Sequence, residues 1–217
     1  MSVLKLDHVS FAYENGSACV LKNLSYEFEK GRMYSIVGRS GAGKTTLLSL
    51  LSGLAVPTEG TIYLEDKDIK QIDKYEYRSR YVGVIFQSFN LLPKLTAVEN
   101  VMLSIDIAGK KSGNKEAHAM ELLKEMGLSE DESRRRVLKL SGGQQQRVAI
   151  ARALSYEPEI ILADEPTGNL DRETQWEIMD IFKRLAHEEQ KCVILVTHSP
   201  EVAKASDEIF ELGTGVF

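Results

Sequence analysis

Gly38-Arg39-Ser40-Gly41-Ala42-Gly43-Lys44-Thr45-Thr46 matches the phosphate-binding pattern G-x-x-x-x-G-K-[ST] at every fixed position. Before it, Met33-Tyr34-Ser35-Ile36-Val37 reads as a short buried strand. After it, Leu47-Leu48-Ser49-Leu50-Leu51 reads as a helix. That strand–loop–helix context separates the motif from an ordinary glycine-rich turn carrying a solvated lysine. Glycines let the backbone turn sharply and bring several N–H groups to one anion. The helix opening at Lys44 adds the positive end of its dipole. Lys44 is expected to reach the β- and γ-phosphates of a nucleoside triphosphate, and the Thr45 hydroxyl to ligate Mg²⁺. The fold expected from this stretch is α/β, a P-loop NTPase.

The rest of the composition bounds the possibilities. A chain of 217 residues suffices for one substantial domain. Its net charge of −5 gives no global basic footprint, so nucleic acid is not an expected partner. No apolar run approaches the length of a transmembrane helix, and Met1 to Asp7 lacks a signal-peptide layout. Any work at a membrane would need a membrane partner. Cys19 and Cys192 lie in apolar, strand-like stretches and are read as free, buried thiols of a reducing compartment.

Outward from the loop, Val3 to Phe11 and Val20 to Phe28 read as strands, with a turn at Asn15 and Gly16 between them. Tyr13 lies 25 residues before Gly38 and is either a ring that stacks on a nucleobase or a plain core or surface tyrosine. Thr61 to Leu64 and Tyr81 to Phe86 are further strands, with a turn over Glu65 to Asp68 and a short helix over Lys74 to Arg80. Gln87 ends the last strand, as a polar cap or as a contact to a metal-bound water or the γ-phosphate. The pattern then turns helical: Thr96 to Ile107 and Glu116 to Met126 carry helical spacing, with Gly127 as C-cap and a loop over Gly109 to Asn114. This region reads as a helical subdomain, about 88–155, inserted into the α/β domain. Arg134-Arg135-Arg136 reads as a solvated helix face.

Leu140-Ser141-Gly142-Gly143-Gln144 is a second anion nest, a hydroxyl and backbone N–H groups ahead of a helix over Gln144 to Leu154. Glu159 to Ala163 is an apolar strand that ends in Asp164-Glu165. A carboxylate there is the expected Mg²⁺ partner through water, and the next is placed to polarise an attacking water. Asp171 can cap a helix over Arg172 to Glu189. Cys192 to Thr197 is another apolar strand. His198 follows it at the carboxyl end of the sheet, with Lys44, Gln87 and Glu165, where ligands bind in such folds.

Together these residues resemble the nucleotide-binding subunit of ATP-binding-cassette (ABC) transporters over essentially the whole chain. Tyr13 stands at the A-loop, Gly38 to Thr45 at Walker A, Gln87 at the Q-loop and Leu140 to Gln144 at the signature. Ile160 to Asp164 stands at Walker B, followed by Glu165, Gly168 to Asp171 at the D-loop and His198 at the H-loop. The resemblance implies a RecA-like core with an N-terminal antiparallel β subdomain (1–87 and 156–217) around the helical insert. It implies ATP and Mg²⁺ as ligands, with the metal held through Thr45, Gln87 and Asp164. It also implies head-to-tail pairing with a second such subunit, in which Ser141, Gly142, Gly143 and Gln144 reach the partner's ATP. The remaining partner is a separate permease, which would put the chain at the cytoplasmic face of the membrane.

Phe86 to Leu92, Glu99-Asn100-Val101 and Asp164 to Asp171 are similar to one bacterial branch. It includes macrolide exporters, lipoprotein-release ATPases, antimicrobial-peptide resistance pumps and the cell-division cassette. Export or mechanical transmission is expected, with an envelope regulator that transports nothing as the alternative. Soluble cassettes of DNA repair or translation carry a long coiled coil or two cassettes. Here 52 residues separate Gln87 from Leu140, and there is one cassette.

Overall fold

The computed structural model describes residues 2–13, 19–109 and 113–213. The turn expected at Asn15 and Gly16, and Lys110 to Ser112 of the 109–114 loop, lie outside them. The chain begins with two long antiparallel strands, β1 (Ser2–Ala12) and β2 (Cys19–Glu29), and then enters β3 (Met33–Val37) and α1 (Lys44–Leu51). β4 (Glu59–Leu64) and β5 (Lys67–Asp68) return to the first sheet, which has the order β2-β1-β4-β5. Gly60 sits at φ 77° against β1, where an added Cβ would lie 2.3 Å from the His8 carbonyl oxygen. Only glycine permits that approach.

α2 (Lys74–Glu76) runs into a π-helical turn, Tyr77–Tyr81, and β6 (Val82–Ile85) follows. Among the described residues four α-helices and a 3-10 turn, Val137–Lys139, then precede the next strand: α3 (Ala97–Ile107), α4 (Lys115–Glu125), α5 (Glu130–Ser133) and α6 (Gly142–Leu154). β7 (Ile160–Asp164), α7 (Arg172–His187), β8 (Cys192–Val196), α8 (Pro200–Lys204) and β9 (Glu208–Glu211) complete the fold. The second sheet is wholly parallel, in the order β6-β7-β8-β3-β9.

The parallel sheet is buried on both faces, which is why its strands read as unbroken apolar runs. Side chains alternate between two cores. Ile161, Ala163, Val193 and Leu195 pack with α3, α4, α6 and α7. Ile160, Leu162, Cys192, Ile194 and Val196 pack with α1 and the antiparallel sheet. The α/β P-loop architecture expected from the sequence is therefore present, with its antiparallel sheet and its helices between β6 and β7. Among the described residues, no helix is long and apolar enough to cross a membrane.

Some local readings change. Cys19 is exposed, not buried; only Cys192 is in the core. Cys19 opens β2, an outer strand of its sheet, where apolar character does not require burial. α6 starts at Gly142, two residues before Gln144, because Ser141 caps it. Arg134 to Arg136 follow α5 and do not form a helix face; Arg134 pairs with Glu116 of α4 and Glu130 of α5. The expected turn at Glu65 to Asp68 contains β5, and α8 and β9 were not anticipated.

Candidate active site

The phosphate loop is fixed from within. Gly43 is the left-handed N-cap of α1 at φ 94°, and a Cβ there would lie 2.7 Å from Leu21 Cδ2. The loop thus closes directly over β2. Lys44 is buried, and its Nζ donates to the carbonyls of Gly38 at 2.8 Å and Arg39 at 3.1 Å. The ammonium is held by the loop that a phosphate would enter, so it needs little reorganisation to meet one. α1 points its unpaired first-turn N–H groups the same way.

In front of this loop lies a cleft of about 900 Å³. Tyr13, Ser40, Gly41, Gly43, Lys44, Thr45 and Thr46 line one side; Gln87, Asp164, Glu165 and His198 line the other. Four chain segments far apart in sequence converge here because the loops after β3, β6, β7 and β8 all open at the same sheet end. Tyr13 is 56% exposed, stands edge-on to Phe11 and has its hydroxyl 3.1 Å from Thr46 Oγ1. One ring face is thus available to a flat ligand.

The carboxylates are set by burial. Thr45 Oγ1 lies 3.5 Å from Asp164 Oδ2. Burial raises the pKa of Asp164, against the lowering by Thr45, Lys44 and His198. Glu165 adopts a left-handed backbone (φ 46°), and its N–H donates to the Val196 carbonyl at 3.0 Å. One carboxylate oxygen accepts from the His198 backbone N–H at 3.3 Å, and the other lies 3.4 Å from His198 Nε2. Burial also raises Glu165, outweighing His198. A raised carboxylate is a better proton acceptor, as a general base requires. A hydroxyl beside a half-buried carboxylate is a hard, oxygen-only donor pair that fits Mg²⁺.

Not every expected residue lines the cleft. Gly38, Arg39 and Ala42 line a second hollow, shared with Glu211 and Leu212. Ser141, Gly142, Gly143 and Gln144 lie outside the cleft, at the start of α6. Asp171 also lies outside it and caps α7, accepting from Thr174 N at 2.9 Å and Thr174 Oγ1 at 2.8 Å. The two segments adjoin. A Cβ on Gly143 would lie 2.5 Å from the Thr174 methyl, which the Asp171 hydrogen bond keeps in place. Val20, Thr167, Gln175, Thr197 and Ser199 line the cleft without having been singled out. Val20 and Gln175 carry no motif signal; Thr167 belongs to the Asp164 to Asp171 stretch but was given no role, and Thr197 and Ser199 are legible only as neighbours of His198.

Comparison with known proteins agrees with this geometry. Residues 21–168 match the family model described as "ABC transporter". The chain is 46% identical to the uncharacterized ABC transporter ATP-binding protein YclH of Bacillus subtilis, over 100% of this chain and 96% of that protein. It is 42% identical to the lipoprotein-releasing system ATP-binding protein LolD of Protochlamydia amoebophila, over 90% of this chain and 87% of that one. A solved structure of the Methanocaldococcus jannaschii ATP-binding cassette MJ0796 superposes with a TM-score of 0.87 at 41% identity. It covers 96% of this chain and 94% of that one, and is described as a dimeric post-hydrolysis state bound to ADP and Pi. The phosphate loop, the paired acids at the end of β7 and these likenesses lead to one conclusion: the chain belongs to the ABC transporter family, as an ATP-binding, ATP-hydrolysing cassette.

Proposed function

We propose that two cassettes pair head to tail, each ATP lying between the cleft of one and the Ser141 nest of the other, and that this closure drives a separate membrane permease. The observation that carries the reading is the separation of the two anion sites. A capped, glycine-rich helix start lies outside the cleft of its own chain, which suits it to a phosphate held elsewhere.

Within one site, Lys44 holds the β- and γ-phosphates and Tyr13 stacks on the adenine. Thr45, with Asp164 and Gln87 through water, holds Mg²⁺, which when bound neutralises charge at the phosphates. Glu165 takes the proton of the attacking water, and His198 steadies both Glu165 and the γ-phosphate. Ser141, Gly142 and Gly143 donate to the γ-phosphate across the interface, and Asp171 keeps the adjoining loop in shape. ATP binding favours the closed pair and hydrolysis releases it. The surface from Ser88 to Asn100, with Leu92 exposed, receives a cytoplasmic helix of the permease. The chain would then work at the cytoplasmic face of the membrane, in export or force transmission.

The test uses Glu165→Gln, which should bind ATP and hydrolyse it very slowly. Gel filtration with ATP and Mg²⁺ should show a dimer; a monomer at all concentrations would count against the pairing. Capture of a polytopic membrane protein by the same variant from detergent-solubilised native membranes tests the permease.

A further inference from the structure

Two helix caps meet at one carboxylate. Ser129 caps α5, and Glu132 Oε2 accepts from both its backbone N–H and its hydroxyl at 2.8 Å. The other oxygen, Oε1, accepts from Gln144 Nε2 at 2.6 Å. Gln144 Oε1 in turn accepts from the Ser141 backbone N–H at 2.9 Å, while the Gln144 N–H donates to Ser141 Oγ at 3.3 Å. The chain of bonds runs from α5 to the first residue of the signature nest.

Its direction is chemically forced. An ionised carboxylate only accepts, so Gln144 must turn its NH₂ toward Glu132 and its carbonyl toward Ser141. The Ser129 hydrogen bonds keep the Glu132 pKa below the ordinary glutamate value, so it stays ionised at neutral pH. The orientation that caps Ser141 is the one that also meets Glu132, so the two hydrogen bonds hold the amide from both ends.

We propose that Glu132 is a positioning residue for the trans ATP contact: through Gln144 it holds the Ser141 nest in the shape that receives the partner's γ-phosphate. The proposal rests on the head-to-tail reading above. A nest already ordered before closure loses less freedom on binding. Glu132 itself touches no nucleotide.

The test is the ATP-dependent dimer dissociation constant, measured by sedimentation in the Glu165→Gln background. Adding Glu132→Gln places an NH₂ against the Gln144 NH₂ or forces its carbonyl off Ser141. Dimerisation should weaken by roughly 5-fold per site, the worth of one partly exposed charged hydrogen bond. ATP binding by the monomer should not change. Glu130→Gln is the control on the same helix: it weakens the α5 pair with Arg134 and leaves Glu132 in place, so it should keep the parent constant. A general loosening of α5 would weaken both variants alike. If the parent never dimerises, the head-to-tail reading falls. If the parent dimerises and Glu132→Gln leaves the constant unchanged, or Glu130→Gln weakens it as much, the role of Glu132 is overturned.

Discussion

The Arg152 guanidinium donates to the Phe89 carbonyl at 2.9 Å and to the neighbouring Asn90 carbonyl. Phe89 and Asn90 both have positive φ, 59° and 50°, a conformation that ordinary side chains resist. Two residues on, Asn100 of α3 accepts from the Leu92 N–H at 2.8 Å and donates to its carbonyl at 3.2 Å. The segment just after Gln87 is thus tied to α3 and α6, while Gln87 itself lines the cleft.

Arg152→Ala should therefore destabilise the protein by about 2–3 kcal/mol, through the loss of charged hydrogen bonds that hold a strained turn. Arg152→Lys, with one point donor in place of a fork, should recover about half of that. Urea denaturation measures both. An unchanged midpoint for the alanine variant would show that the turn holds itself.

Asp164 and Glu165 make a second prediction, in pH. Burial raises both above their ordinary values of 3.8 and 4.5. The native state then keeps protons that the unfolded chain releases. The stability these groups contribute is full below the ordinary values and is lost as pH rises through the raised ones. Asp164→Asn and Glu165→Gln should each raise the Tm of the nucleotide-free protein at neutral pH, and the gain should vanish at about pH 3.5. Thermal unfolding across that range checks the sign; a lower Tm at pH 7 would contradict it.

Tyr13 separates ring from hydroxyl. Tyr13→Phe removes only the contact to Thr46 and should leave the KM for ATP within about 2-fold. Tyr13→Ala removes the stacking face and should raise KM more than it lowers kcat, because stacking acts equally on the bound ground state and the transition state. Steady-state kinetics of the two variants checks this: an unchanged KM for Tyr13→Ala would leave Tyr13 a plain surface tyrosine.

The cysteines give a direct count. Cys19 is exposed, whereas Cys192 is buried with its thiol pKa pushed up by burial. A thiol-reactive chromophore should titrate one group in the native protein and two after denaturation. Fast reaction of both would mean that β8 is accessible.

Much of this was legible because the chemistry is local in sequence. Gly38 to Thr46 announces its own strand, loop and helix, and the apolar run before Asp164 announces a strand buried on both faces. Cys19 misled because an apolar neighbourhood looks the same on an outer strand and in a core. β9, Glu-Ile-Phe-Glu, is only four residues long and half exposed, so its alternation carried little weight. The link from Glu132 to Gln144 had no signal at all. Each residue reads as the third position of its own capping box, and only the tertiary packing shows that the two boxes share a carboxylate.

The order of the parallel sheet has a mechanical meaning. β3, β7 and β8, which carry the phosphate loop, the paired acids and His198, each have strands on both sides. β6, which leads to Gln87, is bonded on one side only, to β7. The strands behind the phosphate loop, the paired acids and His198 are clamped in the middle of the weave. The glutamine hangs from its selvedge, where a thread can be drawn without unpicking the cloth. A displacement of β6 is therefore resisted by the ladder to β7 alone.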